Sequence, residues 1–117
     1  MEKADDHVSL MDVSHYRTMK DALGEDFAEL VADFFTDCSR YSAGLTSLAE
    51  AGDADGFREL SHELKGASAL LGLSGISTCA AEWETMAKDG KLPDTGLIRD
   101  RFPSLVEETR KQIAELP

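Results

Sequence analysis

The sequence lacks any long uninterrupted apolar run. A helix that crosses a bilayer needs about 20 consecutive apolar residues, and charged or polar side chains interrupt every stretch of that length in the 117 residues. The first six residues also lack the basic-then-apolar pattern of a secretory signal peptide. The sequence therefore predicts a protein without a membrane span, and we expect it in the cytoplasm.

Cysteine and metal-binding patterns are scarce as well. The two cysteines, Cys38 and Cys79, fall in predicted apolar helix stripes and show no spacing typical of a metal site. We expect them to be small buried thiols. The three histidines, His7, His15 and His62, do not approach ligand spacing on a shared helix face. No metal ion or other cofactor is predicted for this chain.

Glycine-rich phosphate loops and hydrolase motifs are absent too. The nine glycines are scattered, and no strand pattern leads into them. Ser61, Ser68 and Ser74 lie near His62 in sequence, but no oxyanion motif accompanies them. The chain is too short to add the ATP-binding domain of a histidine kinase. We therefore expect no autonomous kinase or hydrolase activity.

Basic residues are outnumbered by acidic ones, 12 to 23, which gives a formal net charge of −11. Such an acidic chain does not suit nucleic acid or an anionic membrane as a partner. The charge is also uneven. Residues 1–60 hold 14 acidic and 5 basic side chains, whereas residues 61–117 hold 9 and 7. The second half is therefore the better place for an anionic group to bind.

The sequence does have apolar residues that recur at intervals of three and four, which is typical of amphipathic helices. They predict helices over residues 12–22, 25–51, 53–71, 75–89 and 94–115. Asp12 or Ser14 is expected to cap the first helix, Asp53 the third, and Ser74 or Ser77 the fourth. With no strand pattern, the predicted fold is all-α: an antiparallel up-and-down four-helix bundle with a short extra N-terminal helix.

The last predicted helix contains Pro103, which has no backbone N–H to donate. We expect a kink there, or a division of the helix into two pieces. The chain length suits a single hydrophobic core. Residues 1–10 are predicted to be a loose lead-in, and residues 11–117 a single domain.

Residues 61–73 carry a polar face opposite a clean apolar stripe. At about 100° per residue, His62, Lys65, Gly66 and Ala69 fall on one side of the helix. The opposite side collects Phe57, Leu60, Leu64, Ala67 and Leu71. Glycine inside a helix costs about 1 kcal/mol relative to alanine. On the exposed side no core packing requires it, so Gly66 is of interest as clearance beside the imidazole.

An exposed imidazole beside a lysine and a glycine fits two interpretations. In the first, His62 is an ordinary surface histidine and Gly66 has no special role. In the second, the neutral ring is a nucleophile, and Lys65 supplies a cation for an anionic group that the ring carries. The helical pattern alone leaves both interpretations open.

The order of residues from His62 onward resembles the signature of the histidine-containing phosphotransfer (HPt) domain. The matching residues are His62, Glu63, Leu64, Lys65, Gly66, Ala67, Ser68, Ala69, Leu70, Leu71, Gly72 and Leu73, followed by Ile76, Cys79 and Trp83. The resemblance implies a helical domain that takes a phosphoryl group from the aspartate of one receiver domain and passes it to the aspartate of another.

The same resemblance implies roles for individual residues. His62 would be the phosphorylated residue, Lys65 would steady the phosphate, and Gly66 would give clearance for the incoming receiver. Lys88 is comparable to a basic residue that often faces the site from the next helix. The chain departs from the family pattern at Ser61, where alanine is common.

Further residues are expected around this site. Glu84 stands where some members of the family carry a neutral amide, and an acid there would repel a phosphate. Ser68, about 120° round the helix from His62, is expected to flank the site and bond a backbone carbonyl. Ala69 and Leu73 are predicted to form the patch on which a partner docks.

The partners implied by the resemblance are the receiver domains of a hybrid histidine kinase and of a response regulator. Mg²⁺ would sit on the receiver domain, so this chain would need no cofactor of its own. We expect it to be a monomer. The remaining alternative is a helical interaction module that binds a partner protein without chemistry, in which His62 has no covalent role.

Overall fold

A computed structural model of the chain describes residues 10–117. It contains five helices: α1 Val13–Leu23, α2 Glu25–Glu50, α3 Ala54–Leu70, α4 Ser74–Lys88 and α5 Thr95–Glu115. Each predicted boundary lies within one residue of the observed one. The predicted lead-in, residues 1–10, lies outside the described residues except for Leu10. No helix of residues 10–117 combines the length and the apolarity that a membrane span requires.

Helices α2 to α5 form a bundle in which each helix packs against two neighbours. Helix α3 lies between α2 and α4, and α5 closes the ring by packing against the same two helices. Contacts between α3 and α4 run in opposite sequence order, since His62 meets Glu84 and Lys65 meets Ser77. Glu50 at the end of α2 meets Arg99 near the start of α5. Neighbouring helices are therefore antiparallel, and α1 packs against α2. The predicted all-α bundle with a short N-terminal helix is confirmed.

The core is centred on Trp83 of α4. Its ring centroid lies 6.2 Å from that of Phe57 on α3 and 6.2 Å from that of Phe102 on α5. All three side chains are almost fully buried, and burying a large apolar side chain stabilises a fold by roughly 1.5–3 kcal/mol. The three rings therefore tie α3, α4 and α5 together directly beneath the polar face of α3.

The two cysteines are buried, as predicted. Burial raises the pKa of the Cys38 thiol to about 12 and that of the Cys79 thiol to about 11. A thiol reacts mainly as its thiolate. Both side chains therefore act as small apolar groups of the core.

Aspartates begin two of the helices, as predicted. The Asp12 carboxylate accepts a hydrogen bond of 3.0 Å from the backbone N–H of His15 at the start of α1. The Asp53 carboxylate accepts one of 2.9 Å from the backbone N–H of Gly56 at the start of α3. Each bond satisfies a backbone donor that the helix leaves unpaired.

The predicted serine cap of α4 is wrong. The helix begins at Ser74, so Leu73 holds the N-cap position, and neither Ser74 nor Ser77 does. One backbone N–H in the first turn of α4, that of Gly75, instead donates to the carbonyl of Leu10, which precedes α1, at 3.1 Å. A backbone acceptor has taken the place of the expected side chain.

The turn between α3 and α4 depends on Gly72. Its φ of 76° lies in the left-handed region that favours glycine, and the next N–H, of Leu73, donates back to the Ser68 carbonyl at 2.9 Å. A Cβ on Gly72 would also lie 3.0 Å from the Asp12 carbonyl oxygen and from the Tyr16 nitrogen. This tight turn fixes how α4 lies alongside α3.

Helix α5 is continuous from Thr95 to Glu115 with Pro103 inside it. The predicted division into two pieces is therefore wrong. Proline cannot donate to the carbonyl of Arg99 one turn earlier. Pro103 is on the exposed side of the helix, where water can serve that carbonyl, so the helix continues through it.

Candidate functional site

The site is built on the outer face of α3. The His62 side chain is 66% exposed, whereas Phe57 and Leu64 on the opposite face are completely buried. The amphipathic pattern predicted this division, and the structure confirms it. The imidazole is thus held at the surface by a helix whose other side is fixed in the core.

A carboxylate from α4 lies between the two polar side chains of α3. Oε2 of Glu84 is 2.9 Å from Nδ1 of His62, and its Oε1 is 2.6 Å from Nζ of Lys65. An ionised carboxylate only accepts hydrogen bonds, so Nδ1 of His62 is the nitrogen that donates. In the neutral ring the lone pair is then on Nε2, on the side of the ring away from Glu84.

Glu84 is unusually enclosed for an acid. Its side chain is 7% exposed, and that of Lys65 is 35% exposed. The hydrogen bond from Lys65 lowers the pKa of Glu84 below its ordinary value, the hydrogen bond from His62 acts in the same direction, and burial opposes both. The acid that was expected to repel a phosphate is therefore an ionised group already held between a cation and a donor.

Gly66 lies beside His62 without any internal packing requirement. A Cβ built on Gly66 would meet nothing within 4 Å, whereas one built on Gly44 of α2 would lie 2.8 Å from the Leu60 side chain. Gly44 thus faces a packed side chain of the neighbouring helix, whereas Gly66 faces none. Together with exposed Ala69, Gly66 keeps the helix surface low next to the ring.

Two other predicted site residues differ in position. Lys88 is exposed on α4, one turn after Glu84, and has no ion-pair partner within residues 10–117. Ser68 is fully buried, and its hydroxyl donates to the Leu64 carbonyl at 2.7 Å. The predicted serine-to-carbonyl bond is confirmed, but it places Ser68 behind the site rather than at its surface.

The predicted docking residues divide in the same way. Ala69 is exposed, but Leu73 is 0% exposed, so its assignment to the docking patch is wrong. Helix α3 ends at Leu70, and the turn at Gly72 directs the chain inward. The exposed leucine is Leu70, at 53%. At about 100° per residue it lies roughly 80° from His62, a signal that was present in the sequence.

A second carboxylate, Glu63, faces the other neighbouring helix. It accepts hydrogen bonds of 3.0 Å from Arg40 and 3.0 Å from the Tyr41 hydroxyl, both on α2. The bond from Arg40, followed by that from Tyr41, lowers its pKa. Helix α3 is thus tied to α2 through Glu63 and to α4 through Glu84, one on each side of His62.

The site matches a known family. The family model of the Hpt domain matches residues 29–112, which include all of α3 and α4. The crystal structure of histidine-containing phosphotransfer protein B (HptB) from Pseudomonas aeruginosa PAO1 is similar, with a TM-score of 0.67 and 23% identity over 92% of this chain and 88% of that chain. No curated protein matches. The chain belongs to the Hpt domain family and is a histidine phosphotransfer protein of a phosphorelay.

Proposed function

We propose that Nε2 of His62 accepts the phosphoryl group from the aspartate of one receiver domain and passes it to the aspartate of another. One observation supports this choice of atom above all others. The ring is two-thirds exposed, and its Nδ1 is bound to Glu84 at 2.9 Å. Nε2 is therefore both the nitrogen with a free lone pair and the nitrogen that faces outward.

The transfer balances without a separate base. The Nε2 lone pair forms a bond to phosphorus as the phosphorus–oxygen bond to the aspartate breaks, and the aspartate leaves as a carboxylate with the electron pair. The ring keeps its Nδ1–H and becomes a phosphorylated imidazolium. Its new positive charge lies against the ionised Glu84, which stabilises the product. Return transfer follows the same path in reverse.

Lys65 is proposed to steady the phosphoryl oxygens. Its ammonium group is bound to Glu84, but its side chain is one-third exposed and its four-carbon stem is flexible. It can therefore turn towards an anion on His62. Lys88, exposed one turn beyond Glu84, is available to assist. Phosphoryl transfer depends mainly on positioning and charge stabilisation. The two lysines would supply the charge stabilisation.

The partners follow from the family. Hpt domains relay phosphoryl groups with receiver domains. We propose that the donor here is the receiver of a hybrid histidine kinase and the acceptor that of a response regulator. Mg²⁺ would belong to the receiver, and this protein would act as a cytoplasmic monomer with residues 11–117 as one domain. The low surface at Gly66 and Ala69 would admit the receiver close to the ring.

The test is to load the protein with phosphoramidate, a small phosphoryl donor that needs no partner protein. Intact mass should show one acid-labile phosphoryl group on the wild type and none on His62→Gln. In ¹⁵N-histidine-labelled protein, coupling to phosphorus should appear at Nε2 of His62. Phosphoryl transfer to a receiver domain should then be lost only in His62→Gln.

His15 offers a matched control. Its Nε2 already hydrogen-bonds the Leu70 carbonyl at 2.9 Å, so His15→Gln should load as the wild type does. Loading at His15, or at Nδ1 of His62, would overturn the proposed atom. Failure of both phosphoramidate and a phosphorylated receiver to load the wild type would instead favour a helical interaction module without chemistry.

A further inference from the structure

A groove lies between α2 and α5, and we call it the α2–α5 groove. Its volume is about 610 Å³, within the range of about 300–1,000 Å³ that is typical of small-molecule sites. None of its lining residues belongs to α3, and α5 packs against α2 and α4 but not against α3. The groove is therefore separate from the phosphotransfer face. Its apolar lining includes Phe35, Cys38, Phe102 and Val106.

A cation with unused hydrogen-bond donors borders one end of the groove. The guanidinium of Arg110 lies 4.8 Å from the centroid of the Phe35 ring. Its ion pair within residues 10–117 joins Nε to the Glu107 carboxylate at 3.7 Å, which is too long for a hydrogen bond. A guanidinium can bind a carboxylate through two parallel hydrogen bonds. Arg110 can therefore bind an anion without giving up a hydrogen bond within the fold.

A buried hydroxyl without a partner lies further along the groove. Thr46 lines the groove and is 9% exposed, and its hydroxyl has no hydrogen-bond partner within residues 10–117. Two other buried hydroxyls on helices, those of Ser68 and Thr109, each donate to the carbonyl one turn earlier, at 2.7 Å and 2.8 Å. Because buried polar groups are usually hydrogen-bonded, the Thr46 hydroxyl is available to a molecule in the groove.

An acceptor on α5 lies opposite this hydroxyl. Glu50 bonds Arg99 across the two helices, and Thr46 and Pro103 each lie one turn further into the groove. Pro103 has no N–H to donate to the Arg99 carbonyl. Arg110 follows Pro103 by seven residues, or about 10 Å along the helix axis. The groove thus has a carboxylate-binding group at one end, and a donor with an acceptor further along.

The charge of the groove differs from that of the rest of the chain. Helix α2 carries five acidic side chains over residues 25–37 and none over residues 38–49. The charged lining residues are Arg99, Arg110 and Glu50, whereas the whole chain has a net charge of −11. This local excess of positive charge favours a small anion over a second, equally acidic copy of the chain.

We propose that the α2–α5 groove binds a small apolar carboxylate that carries a hydroxyl about 10 Å from its charged end. The carboxylate accepts from Arg110, and the hydroxyl bonds with the Thr46 hydroxyl and the Arg99 carbonyl. The apolar body covers the aromatic and aliphatic floor between them. This binding site lies outside the phosphotransfer face and does not depend on the proposed function.

The experiment titrates the full-length ¹⁵N-labelled protein with ω-hydroxyoctanoate and follows the backbone amide shifts. Two matched probes have the same eight-carbon body: octanoate lacks the hydroxyl, and octanediol lacks the carboxylate. Saturable shifts should be confined to residues 35–50 and 99–110. Octanoate should bind more weakly than ω-hydroxyoctanoate, and octanediol about tenfold more weakly.

Three variants assign the two ends of the site. Arg110→Gln should weaken ω-hydroxyoctanoate binding about tenfold and leave octanediol binding unchanged. Thr46→Val removes the hydroxyl, so it should weaken ω-hydroxyoctanoate binding and leave octanoate binding unchanged. Arg101→Gln is the matched control, because Arg101 is on α5 but bonds Glu82 on α4 at 3.3 Å. It should change none of the three dissociation constants.

Phosphoramidate loading of His62 should be unchanged in all three variants, which shows that each is folded. Equal affinity of the wild type for octanediol and ω-hydroxyoctanoate would overturn the proposal. An Arg110→Gln effect no larger than that of Arg101→Gln would do the same, as would the absence of saturable shifts. Shifts in the groove that depend on protein concentration without any probe would assign it to a second copy instead.

Discussion

Two carboxylates on either side of His62 are bound in the same way but sit in different surroundings. Glu63 accepts from Arg40 and Tyr41 on α2, and Glu84 accepts from Lys65 and His62 on α3. The Glu63 side chain is 54% exposed, whereas that of Glu84 is 7% exposed. Each carboxylate has one cationic partner and one uncharged donor, so burial is the main difference between them.

That difference decides what each carboxylate can do. Water can replace the partners of Glu63, and exposed ion pairs contribute little to stability. Water has little access to Glu84, so its charge acts on His62 and Lys65 with less screening. The residue next to His62 in sequence therefore ties two helices together, and the residue 22 positions away acts on the nucleophile.

The largest effect should come from removing the buried carboxylate. Glu84→Ala leaves Nδ1 of His62 without an acceptor and removes the charge that faces the phosphorylated imidazolium. A lost hydrogen bond to a charged group is worth about 1.5 kcal/mol, which corresponds to roughly a tenfold change in rate. We expect phosphoramidate loading of His62 to slow by about that factor, measured by intact mass over time.

Two variants sharpen this prediction. Glu84→Gln keeps an acceptor for Nδ1 but carries no charge, so its loading rate should fall between those of the wild type and Glu84→Ala. Glu63→Ala removes the exposed carboxylate and should load at the wild-type rate. Equal loading by Glu84→Ala and Glu63→Ala would show that burial does not distinguish the two groups.

An intermediate effect should appear on acidification. The pKa of Glu84 in the folded protein lies below its ordinary value of 4.5. The stability that its ionised form contributes is therefore present above pH 4.5 and is lost as the pH falls through the lowered pKa of the folded state. The difference in melting temperature between the wild type and Glu84→Gln should shrink over that window, as followed by circular dichroism.

The sign of this pH effect is the informative part. Glu63 also has a lowered pKa, but its exposed ion pair should give Glu63→Gln a smaller difference from the wild type at neutral pH. If the difference in melting temperature between the wild type and Glu84→Gln instead grew as the pH fell below 4.5, Lys65 and His62 would not be lowering the pKa of Glu84.

The helices and the surface position of His62 could be predicted because both depend on local periodicity. One apolar stripe fixes which side of α3 faces the core, and His62 lies opposite it. The same reasoning fails beyond the end of the helix. Leu73 lies beyond the predicted helix 53–71, where helical spacing no longer tells which way a side chain points, and the turn at Gly72 buries it. Leu70 is still within α3, and its helical position places it on the exposed side near His62.

The bond between Glu84 and His62 could not be predicted from either helix alone. It depends on the register between α3 and α4, which is set by the turn at Gly72 and by the packing of Trp83 against Phe57. Composition and periodicity place Glu84 on α4 but do not say what it faces. Its sequence position next to the buried Trp83 did not indicate that it, too, would be enclosed.

The smallest effect should come from changing the exposed carboxylate, Glu63, and it is measured as a change in the pKa of Tyr41. Burial, followed by the hydrogen bond to Glu63, raises the pKa of Tyr41 to about 12. The stability that the protonated phenol contributes is therefore fully present below pH 10.0, the ordinary pKa of tyrosine, and is lost as the pH rises towards 12. Glu63→Gln keeps an acceptor but removes the charge, so the pKa of Tyr41 should fall part of the way back. Ultraviolet titration of tyrosinate in a Tyr16→Phe background isolates Tyr41, and an unchanged pKa there would mean that burial alone holds it and that Glu63 adds nothing.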